Sequence, residues 1–227
     1  MNEKEIKKII SQALGNPKNK IDEAYVTASK KYELSTEMLS EKTKAAHQEL
    51  FEKYSTQLNK VSAELDVVDR ADANPNHCKL RSLKIDETHN INGSYLHALY
   101  FDNISDVNSI VTLDSLAYLR LERDFGKFDN WQDDFIACAL SSRGGWALTV
   151  YSIPLRRYMN IIVDGHTNGI PVACIPIICL NVAEHSYFRD YLANRKTYIY
   201  AMMKEFNWEL IERRVKKAEK IAKVVEK

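Results

Sequence analysis

The alternation of hydrophobic and polar positions gives this chain a helical first half and a mixed second half. After Ser40 the apolar residues recur at every third or fourth position, which is typical of the buried face of a long amphipathic helix. They are Ala45, Ala46, Leu50, Phe51, Tyr54, Leu58, Val61 and Leu65. The pattern stops before Asp72, and a second helix is predicted from about Lys84 to Phe101. The short linker between the two helices predicts an antiparallel hairpin.

The second half begins with two more helical segments, Leu113 to Phe125 and a stretch that ends at Ala139. Beyond Arg143-Gly144-Gly145 the apolar period shifts towards two, and branched and aromatic residues alternate with turn signals, which predicts strands. Three strands are expected, followed by two helical stretches: Trp146 to Tyr151, Tyr158 to Val163 and Val172 to Leu180, then Phe188 to Phe206 and Asn207 to Val225. Helices followed by a short sheet with further helices indicate an α+β protein.

Changes in composition suggest where the domains begin and end. The first 38 residues are polar and rich in lysine, and they are interrupted at Gly15-Asn16-Pro17, so residues 1–38 are expected to form a helical extension. Residues 39–110 are expected to form the helical hairpin domain, and residues 111–227 an α/β domain.

Charge provides little information about partners. The chain has 32 basic and 31 acidic residues, so no overall excess points to nucleic acid or to a membrane. The C-terminal segment from Arg213 is locally basic, and its apolar positions form one helical stripe. A helix that docks by this stripe and exposes its charges is favoured, and contact with a polyanion or an acidic partner is the alternative.

The cysteines and the N-terminal sequence indicate the cellular compartment. The four cysteines, Cys78, Cys138, Cys174 and Cys179, form no C-x-x-C pair and are interpreted as reduced thiols. No stretch approaches the roughly 18 apolar residues of a membrane span. We therefore expect a soluble, intracellular protein, in the cytoplasm or in a particle assembled there. Glu3 and Glu5 disfavour a mitochondrial presequence, which remains an alternative.

The segment from Pro176 to His185 reads P-I-I-C-L-N-V-A-E-H. It resembles a segment of the iron/manganese superoxide dismutases, in which the D-x-W-E-H portion supplies an aspartate and a histidine to the metal. The Asp is Asn181 here and the Trp is Ala183. Further matches in the same register, together covering about residues 84 to 215, are Arg123 to Asp129, Gly144-Gly145-Trp146 and Asn207-Trp208.

The resemblance implies the fold and the metal ligands. The expected fold is an N-terminal helical hairpin followed by a mixed domain, with a three-stranded antiparallel sheet flanked by helices. The implied ligands of one iron or manganese ion per subunit are His47, His97, Asn181 and His185. His97 ends a match to the motif N-x-x-G-x-x-x-H, and His47 ends a match to I-S-x-x-T-x-x-x-H. A competing register would place Lys42 at the first ligand position.

Further roles are implied by the same resemblance. His166 matches a histidine that hydrogen-bonds the metal-bound solvent in some members. Tyr54 lies one residue from the position of the family's gateway tyrosine, which Ser55 occupies, and Phe51 stands in place of an outer histidine. Glu184 matches a glutamate that bonds to the metal-binding histidine of the opposite subunit, so a homodimer through Glu184 and His185, or a larger assembly, is expected.

Several substitutions surround the implied metal position. Asn181 lacks the negative charge of the family's aspartate, and a unit charge pair at about 4 Å contributes on the order of 4 kcal/mol at an effective dielectric of roughly 20. Leu148, Ala183 and Phe188 also replace larger or hydroxylated aromatic residues. We therefore expect a dismutase-like protein with a degraded metal site, retained as a structural or docking subunit of a ribosome-like or virion particle, and we leave catalytic activity undecided. A divergent but active superoxide dismutase is the alternative.

Overall fold

The structure is a computed structural model that describes residues 25–104, 106 and 108–225. The break at Gly15-Asn16-Pro17 and most of the predicted extension lie outside these residues. The described helices and strands, in chain order, are α1 Glu41–Val67, α2 Lys79–Asn103, α3 Leu116–Phe125, α4 Phe128–Ser141, β1 Trp146–Ser152, β2 Arg157–Val163, β3 Cys174–Asn181, α5 Glu184–Tyr191, α6 Arg195–Lys204 and α7 Trp208–Val225. The helical hairpin of α1 and α2 followed by a mixed domain confirms the predicted α+β fold.

The described residues group into two compact units, one of residues 25–29 and 52–94 and the other of residues 30–51 and 95–225. In the first unit, Val61, Leu65, Val68 and Leu83 form a small buried cluster. The extended residues before α1 are tied to it, because the Thr27 N–H donates to Asn59 Oδ1 at 2.7 Å and the Asn59 amide donates back to Thr27 O at 2.8 Å.

The sheet of the second unit has the strand order β2-β1-β3, and both pairs are antiparallel, as predicted. All residues of the central strand β1 are buried, as expected for a strand that packs on both faces. Its first residue, Trp146, is opposite Val163 on one side and Asn181 on the other. Asn181 is therefore the last residue of β3, paired with Trp146 at the end of the sheet from which the chain enters α5.

The core of the second unit centres on aromatic residues packed against this sheet. Trp131 of α4 is fully buried, and its indole Nε1–H donates to Thr149 Oγ1 at 2.9 Å. Its ring also contacts Phe128, Phe135 and Trp208. On α7 the stripe Ile211, Val215, Ala218 and Ala222 is buried, and Arg214 also turns inward to donate to the carbonyl oxygens of Leu99 and Ile177, whereas Arg213, Lys216, Lys217 and Lys220 are exposed. Contact of these exposed basic residues with a polyanion remains a prediction.

Helix boundaries differ from the predicted ones where capping residues decide them. α2 begins at Lys79, earlier than the predicted Lys84, because Cys78 accepts the backbone N–H of Arg81 and Ser82. α3 begins after Ser115, whose side chain accepts the Tyr118 N–H at 3.2 Å. An N-cap bond of this kind fixes the first turn of a helix.

The predicted single helix from Phe188 to Phe206 is wrong, since the structure has two helices there. The chain leaves the helical region at Leu192, whose φ is 51°. Asn194 then caps α6 by accepting the Thr197 N–H at 3.2 Å. The apolar spacing continues across the break, so a pattern based on periodicity alone misses it.

None of the described helices combines the length and the apolar character that crossing a membrane requires.

Candidate metal centre

Three imidazoles from three different helices meet in the second unit. His47 lies on α1, His97 on α2 and His185 in the first turn of α5, and one ring nitrogen of each lies within 4.8 Å of those of the other two. The ring centroids of His47 lie 5.0 Å from both His97 and His185. The described residues thus bring together all three predicted histidines. Lys42, the alternative to His47, is exposed on the first turn of α1.

Packing holds the two inner imidazoles in place. His97 is fully buried, and its ring stands edge-on to Trp146 with the centroids 4.8 Å apart. His47 is 2% exposed and lies against Phe101 and Tyr100, at 5.1 and 5.3 Å between centroids. Aromatic side chains pack closely around these two rings, and this packing leaves each imidazole few alternative rotamers.

A short connection from β3 to α5 positions His185. The carbonyl oxygen of Asn181 accepts the hydroxyl groups of Ser186 at 3.1 Å and Tyr198 at 2.7 Å. The Tyr198 hydroxyl is in turn 3.0 Å from that of Tyr100. This buried network fixes the end of the strand, so His185, four residues further along, points at the other two imidazoles. Unlike them, His185 is exposed.

The side chain of Asn181 lies among the imidazoles. Its Nδ2 is 3.2 Å from His47 Nε2 and 3.0 Å from His185 Nε2. Its Oδ1 accepts the backbone N–H of Ala183 at 2.9 Å. The predicted role of Asn181 as a ligand remains a prediction, and these distances place its amide at the centre of the site.

The environment favours the neutral form of His47 and of His185, because burial lowers both pKa values. Burial lowers the pKa of His47 well below the usual 6.5, and the nearby His97 and His185 lower it further. Burial also lowers the pKa of His185. A neutral imidazole is the form that binds a metal ion, so the environment favours coordination. Three imidazoles whose ligand atoms lie this close together fit a first-row transition metal such as iron.

Acidification below pH 6.5 is expected to destabilise the metal-free protein. The native pKa values of His47 and His185 lie below that of an unfolded histidine. At pH values between the native pKa and the unfolded pKa, the unfolded chain binds more protons than the native protein does. The free energy of unfolding therefore falls as the pH falls. The loss should reach roughly 1 kcal/mol per fully shifted histidine one pH unit below 6.5. Urea unfolding across this range measures it, and His47→Gln should show a smaller pH dependence. An equal dependence in both proteins would contradict the assignment.

His166 and Tyr54 were predicted as catalytic residues. His166 follows β2 and is 8% exposed, and its ring centroid lies 6.0 Å from that of His97 and 5.9 Å from that of Trp146. Tyr54 belongs to the first unit, where its ring lies 5.8 Å from that of His89. Their catalytic roles remain predictions. Glu184 and Phe188 are exposed on α5, and the predicted dimer contact through this helix also remains a prediction.

Sequence reasoning missed the tyrosine network behind the site. Tyr198 supports the carbonyl of Asn181, although it lies on α6, and nothing in its local sequence distinguishes it from other buried tyrosines. Burial raises the pKa of Tyr198, so its hydroxyl stays protonated and continues to donate. The only available signal was the position of Tyr100, three residues after a predicted ligand.

A helical hairpin followed by a three-stranded sheet, with imidazoles from both parts directed at one point, is the arrangement of a metal-binding protein. A sequence model described as iron/manganese superoxide dismutases, C-terminal domain, matches residues 115–214. An iron superoxide dismutase of Aquifex aeolicus is 30% identical over 187 residues, which cover 82% of this chain and 86% of the relative. The chain therefore belongs to the iron/manganese superoxide dismutase family.

Manganese enzymes are also among the relatives. A manganese superoxide dismutase of Haloarcula marismortui is 38% identical over 122 residues, or 54% of this chain and 59% of the relative. Superoxide dismutase [Mn] 1 of Halobacterium salinarum is 36% identical over 124 residues, or 55% of this chain and 61% of the relative. The chain thus matches about three fifths of the length of these haloarchaeal proteins.

These findings overturn the principal functional expectation. The prediction of a degraded metal site in a protein retained as a structural or docking subunit is wrong. The three histidines are assembled with their ligand atoms within 4.8 Å of one another, and relatives at 30% and 38% identity are named as superoxide dismutases. The substitution at Asn181 leaves the three imidazoles assembled, and its side chain still accepts the backbone N–H of Ala183 at the start of α5. The findings favour the alternative, a divergent dismutase, over this reading.

Proposed function

We propose that this chain is a divergent superoxide dismutase that holds one iron or manganese ion through His47, His97 and His185. The observation that carries the proposal is the convergence of these three imidazoles, one of them exposed and two buried. When bound, such an ion supplies one-electron redox chemistry, through which two superoxide anions and two protons give oxygen and hydrogen peroxide. The names of the relatives support both metals and do not choose between them.

The residues of the chain contribute positioning and shielding. His47 and His97 are enclosed by Trp146, Tyr100 and Phe101, which exclude bulk water from the inner side of the site. Electrostatic interactions are stronger in such a water-poor environment.

His166 is the residue best placed to act next to the ligands. Its ring lies beside His97 and Trp146, and it is almost completely buried. We infer that the His166 imidazole places a ring N–H close to the metal site as a hydrogen-bond donor, as the family resemblance suggests. A histidine suits this task because its ordinary pKa lies near neutral pH.

Metal analysis combined with one ligand substitution tests the proposed function. Purified protein should contain close to one equivalent of iron or manganese and consume superoxide in a way that a chelator abolishes. His97→Gln should lower metal affinity at least 10- to 100-fold, the range measured for weaker outer-shell changes, and activity should fall with metal content. Elemental analysis and a superoxide consumption assay give both readouts.

The matched control is His77→Gln, the same exchange at an exposed position just before α2 and outside the cluster. It should leave metal content and activity unchanged. Protein that takes up neither metal, or that is fully loaded and consumes no superoxide, would refute the proposed function.

A further inference from the structure

A backbone hydrogen bond fixes the orientation of the Asn181 side-chain amide. Asn181 is fully buried, and one of its amide atoms lies 2.9 Å from the N–H of Ala183. A backbone N–H can only donate, so the amide atom that it reaches is the oxygen. The reverse orientation would direct the NH2 group at this N–H and leave a buried donor without an acceptor, which is unfavourable.

This orientation turns the NH2 group towards the histidines. Nδ2 lies 3.2 Å from His47 Nε2 and 3.0 Å from His185 Nε2, so each of its two hydrogens can be directed at one imidazole nitrogen. The nitrogen of a carboxamide donates hydrogen bonds and offers no acceptor lone pair. Towards the three-histidine site, Asn181 is consequently a donor.

A carboxylate at the same position would behave differently. Both of its oxygens accept, so one can take the Ala183 N–H while the other faces the imidazoles. Asn181 has a single oxygen, and Ala183 already uses it. The exchange of aspartate for asparagine therefore changes the polarity of the group that faces the site from acceptor to donor, in addition to removing a negative charge.

The main chain gives the amide little freedom to rearrange. The carbonyl oxygen of Asn181 is held by the hydroxyl groups of Ser186 and Tyr198, and the residue is paired with Trp146 across the sheet. A rotation that brought Oδ1 to the imidazoles would need either a shift of this anchored segment or the loss of the Ala183 bond.

Charge then favours a small anion beside this donor. Within the part of the chain that the structure describes, the cluster that could hold a metal ion consists of imidazoles alone, and neutral imidazoles leave the positive charge of a bound ion uncompensated. Hydrogen bonds from an N–H group to an anion are stronger than those between neutral groups.

We propose that Asn181 does not coordinate the metal and instead donates a hydrogen bond to a small anion, of the size class of azide and superoxide, that enters the three-histidine site. The inference rests on the proposed function, because it requires a metal ion held by the imidazoles. It assigns to Asn181 the role of orienting the anionic substrate.

Azide binding to the iron-loaded protein tests this assignment without measuring turnover. Asn181→Leu keeps the approximate size of the side chain and removes the donor. Azide affinity, measured by calorimetry, should fall about tenfold or more, as expected for a lost hydrogen bond to a charged group. If Asn181 were a ligand through its oxygen, the leucine would open a coordination position and azide would bind as tightly as before or more tightly, which would overturn the inference.

A second variant covers the case in which Asn181→Leu does not fold. Ala183 has a φ of −71°, which proline adopts readily, so Ala183→Pro removes the orienting N–H and leaves Asn181 in place. The amide can then turn its oxygen towards the metal, and azide affinity should again fall. Unchanged affinity in this variant would overturn the inference.

Iron content measured before each titration separates the two claims. Wild-type protein that takes up no iron or manganese refutes the proposed function and the inference together. Fully loaded protein whose azide affinity is independent of Asn181 and Ala183 refutes the inference alone.

Discussion

Asn181→Asp is expected to raise the affinity for iron or manganese by roughly three orders of magnitude. A single negative charge about 4 Å from a unit positive charge contributes on the order of 4 kcal/mol at an effective dielectric of roughly 20. Since each 1.4 kcal/mol is a factor of ten in an equilibrium constant, this corresponds to about a thousandfold. The geometry accommodates a carboxylate at this position. The Ala183 N–H can donate a hydrogen bond to one carboxylate oxygen, while the other oxygen faces His47 and His185.

The same substitution should stabilise the oxidised ion more than the reduced one, because the higher charge interacts more strongly with an anion. The reduction potential of the bound metal should therefore fall in Asn181→Asp. Superoxide consumption per bound metal should change with the potential, so activity and metal content have to be measured separately. A competition titration with a chelator of known affinity gives the binding constant, and a redox titration gives the potential.

Asn194→Asp is the matched control. Asn194 is exposed, lies in the same unit and caps α6 by accepting the Thr197 N–H, a function that aspartate performs equally well. It adds the same charge away from the imidazoles and should change metal affinity little. Equal metal affinity of Asn181→Asp and the wild-type protein would show that residue 181 does not face the metal.

Trp131→Ala is expected to lower the free energy of unfolding by about 3–5 kcal/mol, the range for truncation of a large buried aromatic residue. Trp131 is fully buried, and its ring contacts Phe128, Phe135 and Trp208. Its removal leaves a cavity and also deprives Thr149 Oγ1 of the donated indole N–H. Chemical denaturation followed by circular dichroism measures the loss.

Leu140→Ala on the same helix is the control for this prediction. Leu140 is 41% exposed, so its truncation should cost roughly 1 kcal/mol or less. Because Trp131 lies outside the histidine cluster, Trp131→Ala that still folds should retain metal binding at low temperature. If the two variants lost similar stability, the central role of Trp131 in the core would be refuted.

The sequence determined the elements that carry the site, because their periodicities are local properties. Apolar spacing located the hairpin helices, branched and aromatic residues between turn signals located the three strands, and motif matches identified all three histidines, His47, His97 and His185. The helix break at Leu192 was missed, since a residue with positive φ leaves no trace in apolar spacing. The start of α2 was also misplaced, because the capping contacts of Cys78 are not visible in a periodic pattern.

The sequence likewise established that Asn181 is neutral and that Leu148, Ala183 and Phe188 are substituted, and the degraded site inferred from these changes was the wrong conclusion. Only the tertiary structure brings His47, His97 and His185 within 4.8 Å of one another, from helices far apart along the chain. Only the tertiary structure places the Ala183 N–H against Asn181 Oδ1, which decides that the amide offers its hydrogens to the site. Residue type fixes which charges and donors are available, whereas their direction and mutual distance depend on packing between segments that no local pattern encodes.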